Sequence, residues 1–215
     1  MRQERVEEYL GAVYRLRGDP DTPLPLSQLT EYFGFSAVSI HEMIQKLDHE
    51  GLVNYHPYRG VTLTEEGETS AKALLRKHRL WERFLTDVLD ISWDEAHVIA
   101  GHLEHAAPSK VTERLARFLG KPESCPHGGP IPPAHRIATE ECLAGLGTGA
   151  KGRVTRISPE TVERLQKVRS LGLLPGTRLR IVGRKEDRVH VEIGDDRVPT
   201  QVPEEDAGAI WIEVL

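Results

Sequence analysis

Between residues 27 and 63 the caps, apolar positions and glycines leave few ways to fold. The segment SQLTEYF is opened by Ser27 and ends at Gly34. Ser36 opens a longer stretch, AVSIHEMIQKLDHE, which stops at Gly51. Val38/Ile40, Met43/Ile44 and Leu47 recur there at helical spacing. LVNYHPYRGVTLT follows, two β-rich runs around the turn PYRG, and predicts a hairpin. Helix, tight turn, helix, hairpin is the winged helix-turn-helix order, with Gly34 making the turn. In that arrangement the second helix enters the DNA major groove and its N-terminal residues face base edges. Ser36, Val38, Ser39, His41, Glu42 and Lys46 are therefore the candidate DNA-facing residues. Tyr58 and Arg59, at the hairpin tip, are placed for phosphate or the minor groove.

The flanking segments are mostly helical. Residues 4–17 carry Val6, Leu10, Val13 and Tyr14 at helical spacing, and GDPDTPLP breaks the pattern. Thr64 caps a helix that can run to residue 89, and further helices are expected over 93–107 and 110–119. The Pro/Gly/His-rich stretch GKPESCPHGGPIPPAHR, continuing through GLGTGAKG, reads as loop and linker. From Gly152 the pattern turns to short strands (RVTRI, TRLRIVGR, VHVEI, AIWIEVL) with one helical segment, ETVERLQKVRSL, which suggests a small SH3-like barrel. The expected fold is mainly α with a C-terminal small β-barrel. Its parts are a winged helix-turn-helix (1–64), a helical domain (65–133), a linker (134–151) and an SH3-like domain (152–215).

Imidazoles and carboxylates cluster on the helices behind the hairpin. His78 and Glu82 are spaced i, i+4 and share a face. His97 and Glu104 are seven residues apart on the next helix, nearly two full turns, so they align, with His105 roughly 80° to the side. Two antiparallel helices of this kind offer five nitrogen and oxygen donors to one cleft, and Glu8 on the first helix is a sixth. Such donors suit a divalent transition metal. Cys125-Pro126-His127 looks like half a zinc site. Zinc ligands normally come in paired short spacings, and no second pair follows, so this reads as a loop feature.

Composition limits the other classes. The chain has 215 residues, 39% hydrophobic, with a formal charge of −5. Residues 1–60 carry six basic and nine acidic side chains and residues 151–215 are nearly balanced, which argues against a bulk nucleic-acid coat. It fits a DNA reader held weak by its own charge until cations bind. No apolar run approaches the roughly 20 residues of a membrane span. The N-terminus lacks a signal-peptide core, and two cysteines give no disulfide framework. A cytoplasmic protein is expected. HLEH misses the spacing of the zinc-peptidase helices. With no G-x-S-x-G and no P-loop in the chain, an enzyme is not expected.

These residues resemble the diphtheria-toxin-repressor family of iron- or manganese-dependent transcriptional regulators. The stretches that carry the likeness are VEEYLGAVYRL, KLDHEGLVNYHPYRGVTLTEEG, RKHRLWERFLTDVL, GHLEHA and LGKPESCPHGGPIP, with RSLGLLPGTRLRIVGR resembling the FeoA-like third domain of some members. The resemblance implies a homodimer that binds a double-stranded DNA operator, a helical dimerisation domain and two metal sites per subunit. His78, Glu82 and His97 match the ligands of one site, which Glu160 or Glu163 of the third domain would complete. Glu104 and His105 match the second site, and Glu8 falls where iron-type members have methionine and manganese-type members aspartate. Gly101 stands where the family has a cysteine or carboxylate, so one side-chain ligand is missing. A backbone carbonyl, water or His102 would have to substitute. With no thiolate in this set and Glu8 a hard donor, Mn²⁺ is the expected ion, with Fe²⁺ the alternative. A metal-independent winged-helix regulator is the other reading.

Overall fold

The structure, a computed structural model, describes residues 2–134 and 139–215. It divides into two compact units, one ending at Lys77 and one spanning His78–Leu215.

The first unit contains α1 (Arg2–Leu16), α2 (Leu26–Phe33), α3 (Ala37–His49), β1 (Val53–His56), β2 (Gly60–Leu63) and the start of α4 (Glu65–Asp87). Ser36 caps α3, its side chain accepting from the Ser39 N–H, and Thr64 Oγ1 accepts from the Gly67 N–H at the head of α4. Ser27 does not cap α2. That helix begins one residue earlier, behind Pro25, whose φ of −58° suits a helix entry. Gly34 ends α2 at φ 66°, in the left-handed region where a side chain is strained. Ile40, Ile44 and Leu47 turn inward against Leu10, Val13 and Leu29. That packing fixes the opposite face of α3 outward. The hairpin pairs Val53↔Leu63 through His56↔Gly60. Leu24 exchanges backbone hydrogen bonds with Val61, which stitches the segment before α2 onto the hairpin. Gly60 is required there, since a Cβ would stand 2.0 Å from the Leu24 carbonyl oxygen.

The second unit holds the rest of α4, then α5 (Trp93–Ala106), α6 (Ser109–Phe118), β3 (Glu140–Cys142), β4 (Lys151–Ile157), α7 (Val162–Ser170), β5 (Arg178–Lys185), β6 (Arg188–Ile193), β7 (Val198–Pro203), α8 (Glu204–Ala207) and β8 (Ile210–Val214). The strands form one antiparallel six-stranded sheet in the order β3-β8-β4-β5-β6-β7. β3 and β7 are its edges and do not pair with each other, so the described strands make an open sheet rather than the expected closed barrel. Part of the stretch read as linker supplies β3, which pairs with β8. Residues 135–138 of that stretch lie outside the described residues. β7 was hidden in the sequence by Pro199 and Pro203. An edge strand tolerates proline because its outward N–H needs no partner.

Strand alternation builds the sheet's core: Leu179 and Ile181 of β5 and Val189 and Val191 of β6 are buried, while Arg178 and Arg180 stay exposed. Trp93, the first residue of α5, is buried in this same cluster. Beside it, Asp94 pairs with Arg169 of α7 at 2.9 Å. The metal-candidate helices and the sheet are thus parts of one unit. No helix among the described residues is long and apolar enough to cross a membrane.

Candidate metal centre

α4 carries His78 and Glu82 one turn apart, and α5 presents His97 to the same point. Three donor atoms meet there. Glu82 Oε1 lies 2.9 Å from His78 Nε2 and 2.7 Å from His97 Nδ1. The two imidazole nitrogens are 3.1 Å apart. Adjacent ligands at right angles on an ion with bonds of about 2.1 Å stand about 3.0 Å apart, so this near-equilateral triangle has the dimensions of one octahedral face.

A second group converges on the same carboxylate. Glu82, Cys125, His127 and Glu160 place one donor atom each within 4.8 Å of one another. His127 Nδ1 is 3.3 Å from Glu82 Oε1 and 3.8 Å from Cys125 Sγ. Its other nitrogen lies 3.0 Å from the Trp93 carbonyl oxygen, so Nε2–H donates there and Nδ1 is turned to the cluster. This is the outer hydrogen bond that orients a metal-binding histidine. Glu160 is held by the Arg79 guanidinium at 3.3 Å, and the same guanidinium donates to the Pro130 carbonyl.

Glu104 and His105 sit further along α5. Glu104 Oε2 approaches His78 Nδ1 at 2.8 Å, and His105 Nε2 is 3.4 Å from Glu104 Oε1. His78 therefore faces a carboxylate on each ring nitrogen. The 2.8 Å approach is outside hydrogen-bonding angles. His78 Nδ1, Glu104 Oε2 and Glu82 Oε2 are all buried without a hydrogen-bond partner. Buried polar atoms are nearly always bonded. Orphans that point among donors are what a cation site requires, and the residues fit one.

Electrostatics agree. Glu82 is fully buried. Burial would raise its pKa, but the charges of His78 and His127 hold it well below the usual carboxylate range. Burial opposes charge on His78, yet Glu82 and Glu104 overcome it and lift its pKa to about 9. Against the same opposition Glu82, aided by Cys125, raises His127 well above its ordinary value. Burial, with the charges of Glu160 and Glu82, raises the Cys125 thiol. Without metal, protons supply the positive charge these carboxylates need.

Gly101 is in mid-α5, and a Cβ there would meet nothing within 4 Å. His102 is exposed, two residues from buried Glu104 and so on another side of the helix. Glu163 is exposed in the first turn of α7 and is in neither donor group. Glu8 is exposed on α1 in the first unit. The expectation that no thiolate borders the site is corrected by Cys125. Sequence spacing could not show this, because the partners of Cys125 and His127 are Glu82 and Glu160, each more than thirty residues away. The C-x-H pair was the only local signal. In the first unit, Ser36, Val38, Ser39 and Glu42 are exposed, His41 and Lys46 are half-buried, and Tyr58 and Arg59 project fully or largely from the hairpin tip.

Three domain families match the chain. The iron-dependent repressor N-terminal DNA-binding domain covers residues 1–61. The iron-dependent repressor metal-binding and dimerisation domain covers 64–133, and the FeoA domain 142–214. The iron-dependent repressor IdeR of Mycobacterium tuberculosis is 35% identical over 129 residues, 60% of this chain; the match spans 56% of that relative's own length. The diphtheria toxin repressor of Corynebacterium glutamicum is 29% identical over 83% of this chain and 84% of the relative. Among solved structures, a manganese-dependent transcriptional repressor in complex with manganese is 33% identical, with a TM-score of 0.87 over 98% of this chain and 100% of that one.

Proposed function

The chain belongs to the iron-dependent repressor family, and on that premise we propose a metal-activated, DNA-binding transcriptional regulator of metal homeostasis that acts as a cytoplasmic homodimer. The observation that carries this reading is the buried triangle of His78, Glu82 and His97, whose edges are those of an octahedral face. Two imidazoles and a carboxylate suit Mn²⁺ or Fe²⁺. Mn²⁺ is the preferred signal, supported by the hard carboxylates at Glu8, Glu82 and Glu104. The neighbouring Cys125 thiol is a softer donor, and it favours Fe²⁺ as the second reading.

When bound, a divalent ion supplies the positive charge that otherwise comes from imidazole protons. His78, Glu82 and His97 hold one ion, and Cys125, His127 and Glu160 extend the donor set around Glu82. Glu104 and His105, with Glu8, form the second site. His78 Nδ1, already turned to Glu104, is placed to fill the gap left by Gly101. The exposed face of α3 reads base edges through Ser36, Val38, Ser39, His41 and Glu42, with Lys46 on phosphate. Tyr58 and Arg59 of the hairpin tip lie over phosphate or the minor groove. In a homodimer the two α3 helices must enter successive major grooves, about 34 Å apart. Metal stabilises that spacing.

The direct experiment is binding to duplex fragments of the upstream regions of metal-transport genes after exhaustive chelation, then with Mn²⁺ or Fe²⁺ restored. Binding should be restored at least tenfold by metal. Equal affinity with and without metal would leave the metal-independent regulator as the correct reading.

A further inference from the structure

The six side chains around Glu82 fall into two donor groups, His78–Glu82–His97 and Glu82–Cys125–His127–Glu160, and Glu82 is the one residue in both. Its carboxylate is fully buried. Oε1 is approached by three imidazoles, at 2.7, 2.9 and 3.3 Å. Oε2 is buried with no hydrogen-bond partner. A carboxylate with one oxygen crowded by nitrogen donors and the other left unbonded has a donor atom for each of two ions. We infer that Glu82 is a bridging ligand, and that the two groups form one dinuclear centre instead of two independent sites or one. This rests on the reading of these residues as metal ligands made above.

The charge balance supports a pair. Glu82, Glu160 and the Cys125 thiolate bring three negative charges into a buried space, and protons raised onto His78 and His127 now offset them. Two divalent ions replace those protons and leave both imidazoles neutral, as coordination requires. The two donor sets also differ in kind. His78 and His97 add only nitrogen to the shared carboxylate, whereas Cys125 adds a soft sulfur, so the two positions of the pair differ in metal preference. Carboxylate-bridged ions stand close, about 3.5–4 Å apart in two-metal sites. At such a separation two Mn²⁺ ions are magnetically coupled.

The test is Mn²⁺ loading of the full chain, read by metal analysis and electron paramagnetic resonance. Glu104→Gln, combined with His105→Ala, silences the other candidate site. In that background two ions per subunit are expected, with a coupled-pair spectrum in place of the six-line signal of isolated Mn²⁺. Cys125→Ser with His127→Ala should remove one ion and restore the six-line signal from the other. Glu82→Gln should lose the coupled signal entirely, and Glu82→Asp, which keeps the charge but shortens the reach, should lose it too while retaining bound metal. Two ions with only six-line signals, or a single ion at saturation, would overturn the bridge while leaving the ligand reading intact. Binding of no ion would overturn both.

Discussion

At the scale of single residues, Glu82 and His78 decide the chemistry. A carboxylate with no solvent exposure is stable as an anion only beside positive charge. Here His78, held near pKa 9, and His127 provide it. Both pKa values are raised, so both imidazoles are protonated at neutral pH without metal and must lose those protons to coordinate. Metal affinity should therefore rise with pH up to about 9 and fall as pH drops. Calorimetric Mn²⁺ titrations at pH 7, in two buffers of different ionisation enthalpy, should show proton release on binding; no buffer dependence would contradict the assignment. Gly101 gives a second prediction. It is a helix-interior glycine with open space at Cβ. Gly101→Ala should raise stability by about 0.5–1 kcal/mol in thermal unfolding. Gly101→Glu should tighten Mn²⁺ binding at Glu104 and His105, and unchanged affinity would show that the gap faces away from that site.

At the scale of elements, the packing of α5 against the sheet matters most. Trp93 fills the sheet's core, its carbonyl orients His127, and Asp94 ties α5 to α7 through Arg169. Trp93→Ala should cost about 3–5 kcal/mol of second-unit stability in denaturant unfolding and also weaken metal binding, because His127 loses its support. A loss of stability with metal affinity unchanged would separate the two roles. Most helices were legible from caps and periodicity, since Ser36, Thr64, Gly34 and Gly51 act within a few residues of themselves. β3 and β7 were not. One is three residues long and gains meaning only by pairing with β8; the other carries two prolines that its edge position excuses. The same limit applied to the site. His78, Glu82 and His97 could be aligned from helical spacing, which is local. Cys125, His127 and Glu160 reach Glu82 through a loop and a sheet domain whose path no spacing rule encodes.

At the scale of the whole molecule, the account is one of linkage. The outward face of α3 is fixed by Ile40, Ile44 and Leu47 packing inward, so the reading helix itself is rigid, and what metal sets is the spacing of two such helices in a dimer. The acidic balance of residues 1–60 works against DNA affinity in the metal-free chain. If metal favours the DNA-competent arrangement, DNA must favour metal by the same factor. The most direct test is Mn²⁺ affinity measured with and without saturating operator duplex, at fixed salt and pH. The account predicts tighter Mn²⁺ binding in the presence of operator, by the factor with which Mn²⁺ tightens operator binding. Identical Mn²⁺ affinities in the two titrations would contradict it.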